Sequence, residues 1–214
     1  MTNDPLTPYG NRPMVTPIVN AVNYEYGSFE VLRQITDGEI DGYTYHRDDN
    51  RTVRAVKRVV AAMEGAEDCI ICTSGMAACT LVFLTYLSSG DELIIFHDVY
   101  GANYKVSLIL ERMGVKVTWL DAGEAERIDE IVKPNTRMIF CETPSNPLVK
   151  VVDIAALRRA ADKVGAMLIV DNTFATPYHQ QPLMLGADLV VHSATKGLGG
   201  HNDLMAGAIA GTKE

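Results

Sequence analysis

Apolar runs of strand length recur along the chain, each followed by a polar or glycine-bearing turn and then by apolar residues at helical spacing. Residues 69–73, 92–97, 115–120, 137–141, 167–170 and 188–192 read as buried strands, and a last apolar run covers 204–210. In the stretch after Thr52, the positions Val53, Val56, Val59, Val60 and Met63 fall on one helical face, with Thr52 as N-cap and Gly65 as the stop. Further helices are expected over 75–87, 103–113, 122–132 and 153–164. This alternation predicts an α/β fold with a mostly parallel sheet flanked by helices. Residues 1 to about 40 carry Pro5, Pro8, Pro13 and Pro17, which prevent long regular elements. That segment reads as an arm stabilised by lying on another surface, for instance that of a second subunit.

Chemistry gathers at the carboxyl ends of the runs, where open α/β sheets bind ligands. The strand at 188–192 delivers Ser193, Thr195 and Lys196, followed by Gly197, Gly199 and Gly200. Two hydroxyls and an amine beside glycines suit a phosphate-bearing cofactor whose carbonyl a lysine can attack. The strand at 167–170 delivers Asp171, and a carboxylate there can pair with the pyridinium nitrogen of pyridoxal phosphate. Taken singly, Lys196 is a solvated loop lysine and Asp171 a turn cap. Together, each at the end of its own strand, they point to the cofactor. Ser74-Gly75-Met76 opens a helix directly after the strand at 69–73, where free N–H groups and the helix dipole attract anions; simple capping by Ser74 is the alternative. Tyr100, Glu142 and Asn146 stand at the ends of two more strands, the last two in a turn held by Pro144 and Pro147.

The stretches Val170-Asp171-Asn172-Thr173-Phe174-Ala175-Thr176-Pro177 and His192-Ser193-Ala194-Thr195-Lys196-Gly197-Leu198-Gly199-Gly200-His201-Asn202-Asp203 resemble the pyridoxal-phosphate enzymes of cysteine and methionine metabolism. These are the cystathionine synthases and lyases, methionine γ-lyase and the acylhomoserine sulfhydrylases. The resemblance runs from about Pro17 to the last residue and implies the large cofactor domain of the aspartate-aminotransferase-like (fold type I) architecture. It implies a Schiff base at Lys196, Asp171 on the ring nitrogen and Tyr100 stacked on the ring with a share in proton transfer. It also implies Asn146 on the phenolic oxygen, and the phosphate held by Gly75, Met76, Ser193 and Thr195. Tyr45 and Arg47 match a pair that binds the phosphate of a neighbouring subunit, which implies a homodimer or homotetramer with a shared active site. The substrate class is a small sulfur-containing amino acid or O-acylhomoserine, with β- or γ-elimination or γ-replacement as the reaction. His201-Asn202-Asp203 is similar to the ending in some γ-synthases and β-lyases. Two positions depart from the pattern: Arg51 stands where a proline is usual, and Gly197 where an aromatic follows the lysine.

On this reading residues 1–45 are an extended N-terminal arm and 46–214 the cofactor-binding large domain, with the family's small C-terminal domain absent. A non-catalytic or half-enzyme cofactor-binding subunit is the alternative function. With 214 residues, 47% hydrophobic and 21% charged, the composition is ordinary for a globular protein. The formal charge of −8 argues against nucleic acid or an anionic membrane as partner. The start, Met1-Thr2-Asn3-Asp4-Pro5, lacks the pattern of a signal peptide, so a cytoplasmic location is expected. Cys69-x-x-Cys72 lies within a predicted strand, where residues three apart point to opposite faces. A zinc or redox pair is therefore a poorer reading than buried free thiols, and no metal site is expected.

Overall fold

The computed structural model describes residues 14–213, so Pro5, Pro8, Pro13 and the first five residues lie outside the described part. The chain divides into two compact units, one ending at Arg58 and the other beginning at Val59.

In the first unit, a helix α1 (Phe29–Thr36) stands where no element was expected. Ser28 caps it by accepting from the Val31 N–H, and Arg33 bridges Glu30, Asp37 and Glu39 on its exposed face. None of its residues is fully buried, so capping and charge pairing support its half-buried apolar stripe of Val31, Leu32 and Ile35. Helix α2 (Arg51–Glu64) begins in this unit and runs into the next. Its cap is Asn50, whose Oδ1 accepts from the Thr52 N–H at 2.8 Å, and not Thr52 as the sequence suggested. Its buried residues are Val60, Ala61 and Glu64, whereas Val56, Val59 and Met63 are exposed.

The second unit holds a seven-stranded sheet in the order β1-β7-β6-β5-β4-β2-β3. Its elements in chain order are β1 (Asp68–Cys72), α3 (Gly75–Tyr86), β2 (Glu92–Phe96), α4 (Ala102–Arg112) and β3 (Lys116–Leu120). A 3-10 turn over Ala122–Arg127 leads into α5 (Ile128–Ile131), and then come β4 (Thr136–Glu142), α6 (Ile154–Val164) and β5 (Met167–Asp171). The short α7 (Thr176–His179), a 3-10 turn over Pro182–Leu185, β6 (Leu189–His192) and β7 (Gly207–Gly211) complete it. Strands β2 to β6 pair in parallel, while β7 runs antiparallel to both β6 and β1.

Helices cover the parallel strands, and for that reason the strands read as unbroken apolar runs. All of β2 is buried, and Ile94, Ile139, Phe140, Leu168, Ile169 and Val190 are fully enclosed. At the amino end of the sheet, Glu92 is buried and bound by Thr136, Thr118, Lys133 and Lys116. Burial opposes its ionisation, but these four donors hold the carboxyl at about 2. That end is a structural clamp. The carboxyl end is left for chemistry: strand order reverses between β2 and β4, and a crevice opens at such a switch point.

Candidate active site

A cavity of about 640 Å³ opens at the carboxyl ends of the strands, within the usual range for a small-molecule site. Eight of the ten residues singled out from sequence line it: Gly75, Met76, Tyr100, Asn146, Asp171, Ser193, Thr195 and Lys196. Tyr45 and Arg47 belong to the first unit, where the Arg47 guanidinium lies 4.9 Å from the centre of the Tyr45 ring and 3.5 Å from Asp48.

Each side chain is delivered by a local device. Ser74 caps α3 by accepting from the Ala77 N–H at 3.0 Å, which leaves the first N–H groups of the helix at the cavity wall. Gly75 is required there because a Cβ would lie 2.6 Å from Ser193 Cβ and 2.8 Å from Ser193 Cα. The Ser193 N–H donates to Thr173 Oγ1 at 2.7 Å, and the Thr173 N–H donates to Asp171 Oδ1 at 3.0 Å. These bonds tie the ends of β5 and β6 together. Thr195 is anchored to the start of β7, donating to the Ala206 carbonyl at 3.2 Å and accepting from its N–H at 3.0 Å. Lys196 follows on the exposed turn.

Two carboxyls meet in this cavity. Burial pushes Asp171 up, against the Thr173 hydroxyl and N–H and the positive influence of His192. Glu142 is pushed from 4.5 up to about 8 by burial and then by the negative charge of Asp171, although it accepts from the Tyr100 N–H at 2.7 Å. Paired carboxyls with raised values in a cavity are a mark of a working site. Three thiols are inert by comparison, since burial pushes Cys72, Cys79 and Cys141 up, and none of the four cysteines forms a disulfide among the described residues. Among the described residues no group of three or more His, Cys, Asp or Glu is arranged to hold a metal. No helix among them is long and apolar enough to cross a membrane.

Several lining residues escaped the sequence reading. Asn103, on α4, is 1% exposed, and neither atom of its amide has a hydrogen-bond partner in the protein. Thr176 has φ 63°, a strained value for a β-branched residue, and sits opposite Gly197. A Cβ at Gly197 would meet Thr176 Cγ2 at 2.6 Å, so a larger residue at this position needs Thr176 to shift. No local pattern announces either feature.

The chain matches the family model described as Cys/Met metabolism PLP-dependent enzyme over residues 4–214. The chain belongs to this family. It is 43% identical to the cystathionine gamma-lyase of Bacillus subtilis over 190 residues, covering 88% of this chain and 50% of that one. Among solved structures, metB from Corynebacterium glutamicum superposes with TM-score 0.87 at 37% identity, covering 94% of this chain and 51% of that chain. A putative O-acetylhomoserine (thiol)-lyase from Campylobacter jejuni superposes with TM-score 0.85 at 30% identity, covering 92% and 49%. That structure contains N'-pyridoxyl-lysine-5'-monophosphate. This family member therefore has the fold type I architecture of its relatives, and it spans about half of their length.

The cavity fits the family's cofactor on its own terms. It combines a helix N-terminus and hydroxyls for a phosphate, a buried carboxyl for a ring nitrogen and an amine for an aldehyde. It also leaves a buried amide, Asn103, whose hydrogen bonds the protein does not complete.

Proposed function

We propose that this chain holds pyridoxal 5'-phosphate and forms the cofactor half of an enzyme acting on sulfur amino acids or O-acylhomoserine by β- or γ-elimination or γ-replacement. What carries the reading is the meeting of Lys196, Asp171 and the amino end of α3 in one cavity, from three separate strand ends. The N–H groups at Gly75 and Met76 and the Ser193 hydroxyl would hold the phosphate, with charge-assisted hydrogen bonds. Lys196 would hold the aldehyde and afterwards carry protons on its freed amine. Asp171 would keep the ring nitrogen protonated, Tyr100 would cover the ring face, and Asn146 would meet the phenolic oxygen. When bound, the cofactor supplies an electron sink that stabilises negative charge at the substrate carbon. Tyr45 and Arg47 would serve the phosphate of a neighbouring subunit, since a guanidinium grips a phosphate in two places at once.

Borohydride treatment of the chain loaded with pyridoxal phosphate, followed by peptide mapping, tests this. The pyridoxyl label is expected on Lys196. A label on another lysine sinks the assignment. A chain that takes the label but leaves cystathionine and O-acylhomoserine untouched is a cofactor-binding half that needs a further segment for turnover.

A further inference from the structure

Asp171 and Ser193 line the cavity, but the residue beside each of them does not. Neighbouring strand residues face opposite ways, so Asn172 and His192 turn to the rear of that wall. There they meet Glu64, the last residue of α2. Glu64 is 0% exposed and His192 1%. Glu64 Oε1 lies 2.5 Å from His192 Nε2 and accepts from Asn172 Nδ2 at 2.8 Å. Asn172 Nδ2 also donates to the Gln180 carbonyl, while Gln180 Nε2 donates to Asn172 Oδ1 and to the Thr143 carbonyl. One carboxylate thus gathers the ends of β5 and β6 and, through Gln180, the turn after β4. These are the three strand ends that deliver Asp171, Ser193 to Lys196, and Asn146.

The arrangement is expensive for a clamp. Glu64 Oε2 is buried without a partner, and well-packed apolar residues fill such a place at lower desolvation cost. A buried Glu–His pair kept directly behind this cavity has something to do for that cavity.

We propose that Glu64 and His192 are positioning residues for the cofactor, pinning the ends of β5 and β6 and presenting positive charge to Asp171 from behind the cavity wall. This rests on the pyridoxal-phosphate reading above. Glu64 lies against His192, the influence of His192 lowers the Asp171 carboxyl, and an ionised Asp171 suits a protonated ring nitrogen. Glu142 lines the same cavity, and burial with the charge of Asp171 raises its carboxyl to about 8, which keeps it protonated at neutral pH. His192 favours the ionised form of Asp171. Without it, two buried carboxyls compete for protons and Asp171 is a weaker partner for the ring.

The test is a double-mutant cycle on this chain, read as affinity for pyridoxal phosphate by visible absorbance, with folding checked by circular dichroism. His192→Gln and Glu64→Gln are each expected to weaken affinity about tenfold. The ring-nitrogen resonance of 15N-labelled pyridoxal phosphate should move toward that of unprotonated pyridine. In an Asp171→Asn background, His192→Gln should cost less than twofold, because the residue through which it acts is gone. Equal losses in both backgrounds, or lost affinity with an unmoved resonance, would overturn the proposal. Should His192→Gln fail to fold, Glu64→Gln takes its place in the cycle; unfolding of both assigns the pair to structure alone. An unaltered chain that takes up no pyridoxal phosphate overturns the cofactor reading itself, a separate result from a failed cycle.

Discussion

Burial and the charge of Asp171 hold the Glu142 carboxyl at about 8, far above the 4.5 of an exposed one. The sign of the consequence follows from proton linkage. Between these values the folded chain binds a proton that the unfolded chain has released, so stability is fully present below about 4.5 and is lost as pH rises through 8. Asp171 adds a loss of the same sign. Melting temperature of the cofactor-free chain should therefore fall between pH 6 and 9, and Glu142→Gln should flatten that fall. A wild-type profile that is level over this range would contradict the assignment. At this scale the sequence set Lys196, Asp171, Ser193 and Gly75 at strand ends within short motifs, and the structure brings them to one cavity. It showed Glu142 only as a strand-end residue in a proline-held turn and gave Asn103 no role. Their character comes from surroundings distant in sequence, Asp171 for Glu142 and burial at the cavity wall for Asn103.

At the scale of elements, the start of α3 packs closely against the end of β6. An added methyl at Gly75 would have to displace backbone at Ser193 as well as its side chain. Gly75→Ala is expected to destabilise the chain by about 1–3 kcal/mol, the usual cost of forcing one carbon into a packed contact. It should also lower affinity for inorganic phosphate and for pyridoxal phosphate at least tenfold, measured by titration calorimetry. Unchanged affinity would show that the phosphate binds elsewhere. The strands were readable as apolar runs and most of the helices from period and caps. Two things were not. Helix α1 has an apolar stripe of half-buried Val31, Leu32 and Ile35 that the proline-rich reading of this segment passed over, besides its Ser28 cap and the charge cluster around Arg33. The direction of β7 was equally hidden, since a strand buried on both faces has the same composition whether parallel or antiparallel.

At the scale of the whole molecule, a site shared between subunits makes a prediction that one chain alone does not. If Arg47 serves a neighbour's phosphate, an Arg47→Ala chain and a Lys196→Ala chain each lack an intact site. A mixed dimer restores one. At limiting pyridoxal phosphate, borohydride labelling of the Arg47→Ala chain should recover on mixing and fall again on dilution. No recovery despite demonstrated subunit exchange would place Arg47 outside the cofactor site. The sequence by itself determined the class of fold, the family's cofactor and the strand ends that meet at the cavity. Those depend on local period and on motifs confined to a few neighbouring residues. Tertiary structure alone decided the contact between Glu64 and His192, separated by 128 positions, and the rise of the Glu142 carboxyl beside Asp171. It alone decided the fit of Gly197 against Thr176 as well. The physical reason is common to all three: burial and electrostatics act through space, and strand order sets which distant residues are close.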